Sequence, residues 1–299
     1  PLGAYALLKF LAQLISRWLL AKKYDPFYFG SNWHAIRYEL RPGDLILVEG
    51  QTRVARIIQR LTLSSWSHVM LYVGRIHDVE DIQLRQKIQD FGQFEPEDMI
   101  ILESEMGRGT VVQSLKFYDG YHLRILRPKN ISYLDVQQVV EYCVSRLGTP
   151  YNLRQIVDLM RFLLPWKVLP RRWGSSLFRY SPNAPSTVCS TLLAEAFAHI
   201  NFPVLPLIKA SDKPGHYQLF QRNPQFVFPA TFDKSPYFEV IKTAHVDHGP
   251  ARGSYRLMPW HGQMQLDDPE SDFYVSSSRS PAETDGQSSP TSEPPAEEV

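Results

Sequence analysis

Two cysteines, Cys143 and Cys189, occur in the 299-residue chain, and their settings predict opposite chemistry. Cys189 follows Ser186 and Thr187, both good helix N-cap residues, and opens the apolar series Leu192, Leu193, Ala196, Phe197 and Ile200 at helical spacing. The thiol is therefore expected in the first turn of a helix. Unpaired backbone N–H groups and the positive end of the helix dipole favour an anionic sulfur there, and they can hold the oxyanion of a tetrahedral intermediate. Cys189 is thus a candidate nucleophile toward an acyl carbonyl. Cys143 instead shares an apolar helix face with Val136, Val139, Val140 and Leu147. That helix is expected to start at a cap formed by Ser132 with Asp135 and to stop at Gly148. A buried apolar setting suppresses the thiolate, so Cys143 reads as an inert core thiol.

A thiol nucleophile needs a base, and a base needs an orienting partner. His68 opens the strand-like run His68-Val69-Met70-Leu71-Tyr72-Val73-Gly74. At a strand edge an imidazole is exposed enough to exchange protons and fixed enough to be aimed. On the next expected strand, Met99 to Glu105, the two-residue period puts Ile101, Glu103 and Glu105 on one face. A carboxylate in register beside His68 would accept its second ring N–H and stabilise the imidazolium. Glu103 is the first choice, being nearer the sheet centre than Glu105, which adjoins the turn-like Met106-Gly107-Arg108-Gly109.

The supporting elements read as one run of strands. Arg41-Pro42-Gly43-Asp44 is turn chemistry before the apolar strand Leu45 to Val48. Residues 53–62 follow as a helix with Val54, Ile57, Ile58 and Leu61 inward and Arg53, Arg56 and Arg60 outward, as a solvated basic face. His68 to Val73 is expected to alternate in burial, and Val111-Val112 and His122 to Leu126 supply further strands. The expected product is an α+β fold with one antiparallel sheet. A hydrophobic content of 43% supplies a core, while two cysteines exclude a disulfide framework. A net charge of +1, with no zinc-finger spacing and no aromatic-glycine RNA-binding run, argues against nucleic acid as a partner.

Five segments together resemble the YiiX/YebB-like group, permuted relatives of NlpC peptidases and of lecithin:retinol acyltransferase. They are Arg-Pro-Gly-Asp-Leu-Ile-Leu-Val at 41–48, Ser-His-Val-Met-Leu-Tyr-Val-Gly at 67–74, Ile-Leu-Glu-Ser at 101–104, Leu-Gly-Thr-Pro-Tyr at 147–151 and Val-Cys-Ser-Thr-Leu-Leu at 188–193. The resemblance implies a circularly permuted papain-like (NlpC-like) fold, its sheet packed against helices that include the nucleophile helix. The histidine strand precedes the cysteine helix, where the ordinary papain order puts cysteine first. It also implies Cys189 as nucleophile, His68 as base and Glu103 as third polar residue, with Tyr151 near the thiol as an oxyanion contact. Ser190 is a second candidate for oxyanion or substrate contact. The implied activity is a cysteine hydrolase that cleaves an amide or ester through an acyl thioester, needing no cofactor and no metal. An acyltransferase uses the same first half-reaction, and the substrate is a small molecule, a peptide or a lipid-like acyl compound.

The expected organisation is an N-terminal amphipathic helix and linker (1–37), the catalytic domain (38–240) with an insertion at 152–186, an irregular extension (241–275) and a disordered tail (276–299). Leu7, Leu11, Leu14, Ile15, Trp18 and Leu19 lie opposite Lys9, Gln13 and Arg17, a pattern suited to the protein's own core or to a membrane surface. Residues 152–180 mix Leu and Trp with Arg and Lys, which suits a helical cover on the core or a lid that meets lipid. These two segments make a membrane-associated or cell-envelope location a reading to test. A rival function is a non-catalytic membrane-associated binding module on the same scaffold. A second rival is a metal site of His245, Asp247, His248 and His261, whose spacing fits no zinc pattern.

Overall fold

The computed structural model describes residues 18–22, 30–105, 108–149, 189–210 and 217–242, all within one unit, residues 1–247. Its centre is a six-stranded antiparallel sheet of strands β1 (Leu45–Glu49), β2 (His68–Arg75), β3 (Met99–Glu105), β4 (Gly109–Ser114), β5 (His122–Pro128) and β8 (Phe238–Ile241). The spatial order is β4-β3-β2-β1-β5-β8. The helices are α1 (Trp33–Glu39), α2 (Arg53–Thr62), α3 (Ile82–Asp90), α4 (Tyr133–Ser145), α5 (Cys189–His199) and α6 (Pro229–Asp233). A separate hairpin pairs β6 (Leu207–Ala210) with β7 (Tyr217–Phe220). Among the described residues, no helix is long and apolar enough to cross a membrane.

Both faces of the sheet are covered. One carries Leu45, Leu47, Val69, Leu71, Val73, Ile100 and Leu102 under α4 and α5, where Leu192, Leu193 and Phe197 are fully buried. Each such side chain contributes about 2 kcal/mol of apolar burial. The other face packs Ile46, Met70, Tyr72, Ile101 and Ile125 against Ile36 of α1 and Tyr118 of the 3-10 turn Leu115–Tyr118. The alternation expected along β2 is therefore absent: every residue from Val69 to Gly74 is buried. Alternation marks a strand with one wet face, and β2 has none.

Sequence order already carries the permutation, with β2 and β3 preceding α5. The caps follow local chemistry: Ser132 Oγ accepts the Asp135 N–H at 3.1 Å, and Thr52 Oγ1 accepts that of Ala55 at 3.2 Å. In α2 the buried residues are Val54 and Ala55, with Ile57 and Ile58 only partly covered. The boundary expected at 37–38 falls inside α1, whose Ile36 is 1% exposed, and the one expected at 240–241 falls inside β8. Most of the N-terminal segment, the insertion at 152–186, most of 241–275, the tail at 276–299 and the His245, Asp247, His248 and His261 group lie outside the described residues.

Asp44 locks the far end of β1. Its carboxylate accepts the Arg41 N–H at 2.8 Å and two bonds from the Arg127 guanidinium of β5 at 3.0 and 2.9 Å. Gly43 must be glycine, because its φ is +91° and a Cβ there would meet Val136 at 2.8 Å. Asp44 is buried and Arg127 only half-buried, so removing the carboxylate loses hydrogen bonds to a charged group without stranding a buried charge. Asp44→Ala is expected to cost about 2 kcal/mol of stability, measured by urea denaturation.

Candidate active site

His68 is the first residue of β2, and this position lets one imidazole address two groups. Alternation along β2 and β3 puts His68 and Glu103 on the face that carries Met70, Ile101 and Tyr118, whereas Cys189 belongs to the helix layer on the opposite face. Only where the strand ends can a ring reach both. His68 Nε2 is hydrogen-bonded to Glu103 Oε2, and the Cys189 sulfur is near enough for its charge to act on the ring. Cys189, the first residue of α5, is 5% exposed, and the His68 side chain is 20% exposed.

Electrostatics reinforce this line. Burial pulls the His68 pKa down, but the charges and hydrogen bonds of Cys189 and Glu103 outweigh it and hold the imidazole well above the ordinary histidine value of 6.5. Burial, with a minor contribution from Glu195, pushes the Cys143 thiol far up, and this residue is fully buried in the core.

Glu103 is 1% exposed, and a carboxylate so buried must be satisfied by donors. It has three. Besides His68, Gln113 Nε2 of β4 donates to Oε1, and Tyr118 donates its hydroxyl to Oε2 at 2.7 Å. Burial first, then the Glu103 charge, holds the Tyr118 phenol well above its ordinary range, so it stays a donor. Its ring stacks near His68, with centroids 6.4 Å apart and planes at 18°. Gln113 in turn accepts from Arg108 at 3.1 Å, and Arg108 pairs with Glu105 at 2.8 Å. Glu105 is thus at the outer end of the network, and Glu103 is the carboxylate on the histidine.

The loop before His68 is held closely. Gln59 Nε2 donates to the carbonyls of Gly50 at 3.2 Å and Ser65 at 2.8 Å, and the Gly50 N–H donates to Ser67 Oγ at 3.0 Å. A Cβ on Gly50 would meet that Oγ at 2.7 Å, so the loop packs against bare backbone. At the same sheet end, His122 Nδ1 pairs with Glu49 Oε2 at 2.5 Å, with the Trp66 ring 5.2 Å from the His122 ring.

Of the residues expected from sequence, Cys189, His68 and Glu103 come together. Ser190 is 3% exposed within α5, and Tyr151 lies outside the described residues. Gln113, Tyr118, Glu49 and His122 were not anticipated. Strand period would have put Gln113, opposite Ile101, on the same face as Glu103 once β4 was paired to β3, but Tyr118 sits on a 3-10 turn with no periodic signal. Among the described residues no group of three His, Cys, Asp or Glu side chains could hold a metal ion.

Residues 39–161 match the model of a family described as permuted papain-like amidase enzymes, YaeF/YiiX, the C92 family. A solved structure similar to this chain is that of the metalloprotein YiiX from Escherichia coli O157:H7, at 12% identity. The match covers 68% of this chain and 97% of that one, with a TM-score of 0.42. No curated protein matches the chain. With its histidine and carboxylate strands ahead of the cysteine helix and a family match over residues 39–161 that spans both strands, the chain has a YiiX-like permuted papain fold.

Proposed function

We propose that the chain is a cysteine-dependent hydrolase that cleaves an amide or ester bond through an acyl thioester on Cys189. The observation that carries this reading is the His68 ring, hydrogen-bonded to the buried Glu103 carboxylate and under the charge of the Cys189 sulfur. The arrangement makes a proton shuttle with a fixed tautomer.

In the first half-reaction the Cys189 thiolate attacks the substrate carbonyl carbon, and the carbonyl π electrons move to oxygen. Collapse of the tetrahedral intermediate breaks the C–N or C–O bond as imidazolium His68 gives its proton to the leaving amine or alcohol. A thioester remains. In the second half-reaction neutral His68 takes a proton from water, which attacks the thioester. The acid leaves, and the thiolate and imidazolium are restored. A different nucleophile in place of water would make the same site an acyltransferase. Tyr151 and Ser190 are the proposed oxyanion or substrate contacts.

A non-catalytic binding module has no use for this arrangement. Buried charged groups rarely gain stability over apolar replacements, so a carboxylate with three donors beneath a partly exposed imidazole favours catalysis. Glu103 acts by aiming and charging His68 and does not touch substrate.

The Cys189→Ala variant is expected to lose hydrolysis of amide and ester test substrates, and His68→Ala to fall by about 100- to 10,000-fold in kcat/KM. Tyr118→Phe removes one hydrogen bond to a charged group and should lower kcat about tenfold with KM unchanged. Iodoacetamide at neutral pH should label Cys189 at least about 100-fold faster than Cys143. Equal, slow labelling of the two would contradict the proposed nucleophile.

The pH profile carries a sign. His68 titrates above 6.5, so its charged form is complete below that value and is lost as pH rises through the raised one. The alkaline limb of kcat/KM reports this loss. Removing the Glu103 charge removes one cause of the elevation, so in Glu103→Gln the alkaline limb should move to lower pH.

A further inference from the structure

We infer that the outer face of α2, with Trp18 and Leu63, is a docking surface for a bilayer that carries anionic phospholipid headgroups. Arg53, Arg56 and Arg60 recur at i, i+3 and i+7, and Leu63 follows at i+10, so the four positions share one stripe. The opposite side of α2 holds the buried Val54 and Ala55. No acidic residue occurs in the sequence between Glu49 and Asp78, and Arg53 and Arg60 at the two ends of the basic stripe are exposed, with Arg56 half-buried between them. Such a stripe, taken alone, reads as a solvated face. Two apolar observations change that.

Leu63 is 88% exposed, and it ends α2 with φ +49°. A helix that ends in the left-handed conformation normally places Gly or Asn there, because a branched side chain is strained. Leucine at this site is unfavourable in water on two counts, backbone and exposure, and insertion into an acyl layer removes the second. Trp18 is 53% exposed, with the Arg53 guanidinium over its ring at 4.7 Å, and its neighbour Leu20 is 41% exposed. An indole beneath an arginine suits the headgroup level of a membrane.

This patch is fastened to the fold. Leu19, 3% exposed, packs with Val54, the Arg53 N–H donates to the Ala21 carbonyl at 3.2 Å, and Lys22 bridges to Thr52. Leu63 lies five residues before His68, and Gln59 of the same helix holds the intervening loop. A bilayer on this face therefore stands beside the histidine end of the sheet. Charge complementarity selects anionic lipid, and the exposed leucines select a bilayer over nucleic acid, whose phosphates would use the arginines and leave the apolar groups idle.

The test uses the full chain and two vesicle compositions, phosphatidylcholine alone and phosphatidylcholine with phosphatidylglycerol. Cosedimentation should favour the phosphatidylglycerol vesicles. It should weaken about fivefold in Arg60→Gln and about tenfold in Leu63→Asn. Asn suits the left-handed site, so thermal melting should be unchanged in both variants, and Arg60→Lys should restore binding. As a second readout, Leu63→Cys in a Cys189→Ala background, labelled with an environment-sensitive dye, should shift blue on phosphatidylglycerol vesicles. Equal binding to both vesicle types, wild-type binding by both variants, or a dye that does not respond would overturn the inference. So would equally tight binding to a DNA duplex that Leu63→Asn leaves intact.

Discussion

A carboxylate buried at 1% exposure beneath a histidine is the constraint on which this end of the protein depends. Buried, an ionised carboxylate is costly unless donors surround it, and here they come from three different elements: the start of β2, the end of β4 and the 3-10 turn after β4. The β3–β4 pairing supplies the glutamine, and the turn supplies the phenol. Arg108 and Glu105 then brace the glutamine from outside. This distribution explains why the β4 edge, with little apolar content of its own, is an ordered part of the site.

The same constraint accounts for the place of the histidine. With both faces of the sheet covered, polar groups can meet the thiol helix only where strands begin or end. His68 occupies that place, and Gly50, Gln59 and Ser67 hold the loop leading into it. A strand terminus is also where the ring keeps access to solvent, which a proton-transfer group needs. The distant clamp between Asp44 and Arg127 ties β1 to β5 and steadies the sheet that carries the site.

The sequence showed the parts of the fold whose signals are local or periodic. Met99 to Glu105 is legible as a strand from its apolar run and turn, and Glu103 follows from the two-residue period. Ser132 marks the start of α4, and Cys189 was correctly set at the head of an apolar helix. Burial of β2 on both faces was not legible, because a continuous apolar run does not say what covers it. The helix α3 was missed since its pattern is nearly all polar: Ile82 is 77% exposed and Ile88 is its buried residue. The β6–β7 hairpin was missed for a related reason, each of its eight residues being exposed. Tyr118 and Gln113 escaped notice because their importance arises only through contact with Glu103. The basic stripe on α2 was visible, but its apolar neighbours take on meaning only once Trp18 and Leu63 are seen beside it.

The account stands on His68 being charged by two partners at once, and imidazole NMR reports this directly. In a protein with labelled histidine, the His68 resonance followed against pH should titrate well above 6.5, and it should fall back toward 6.5 in both Cys189→Ala and Glu103→Gln. A wild-type His68 that titrates near 6.5 and responds to neither substitution would contradict it.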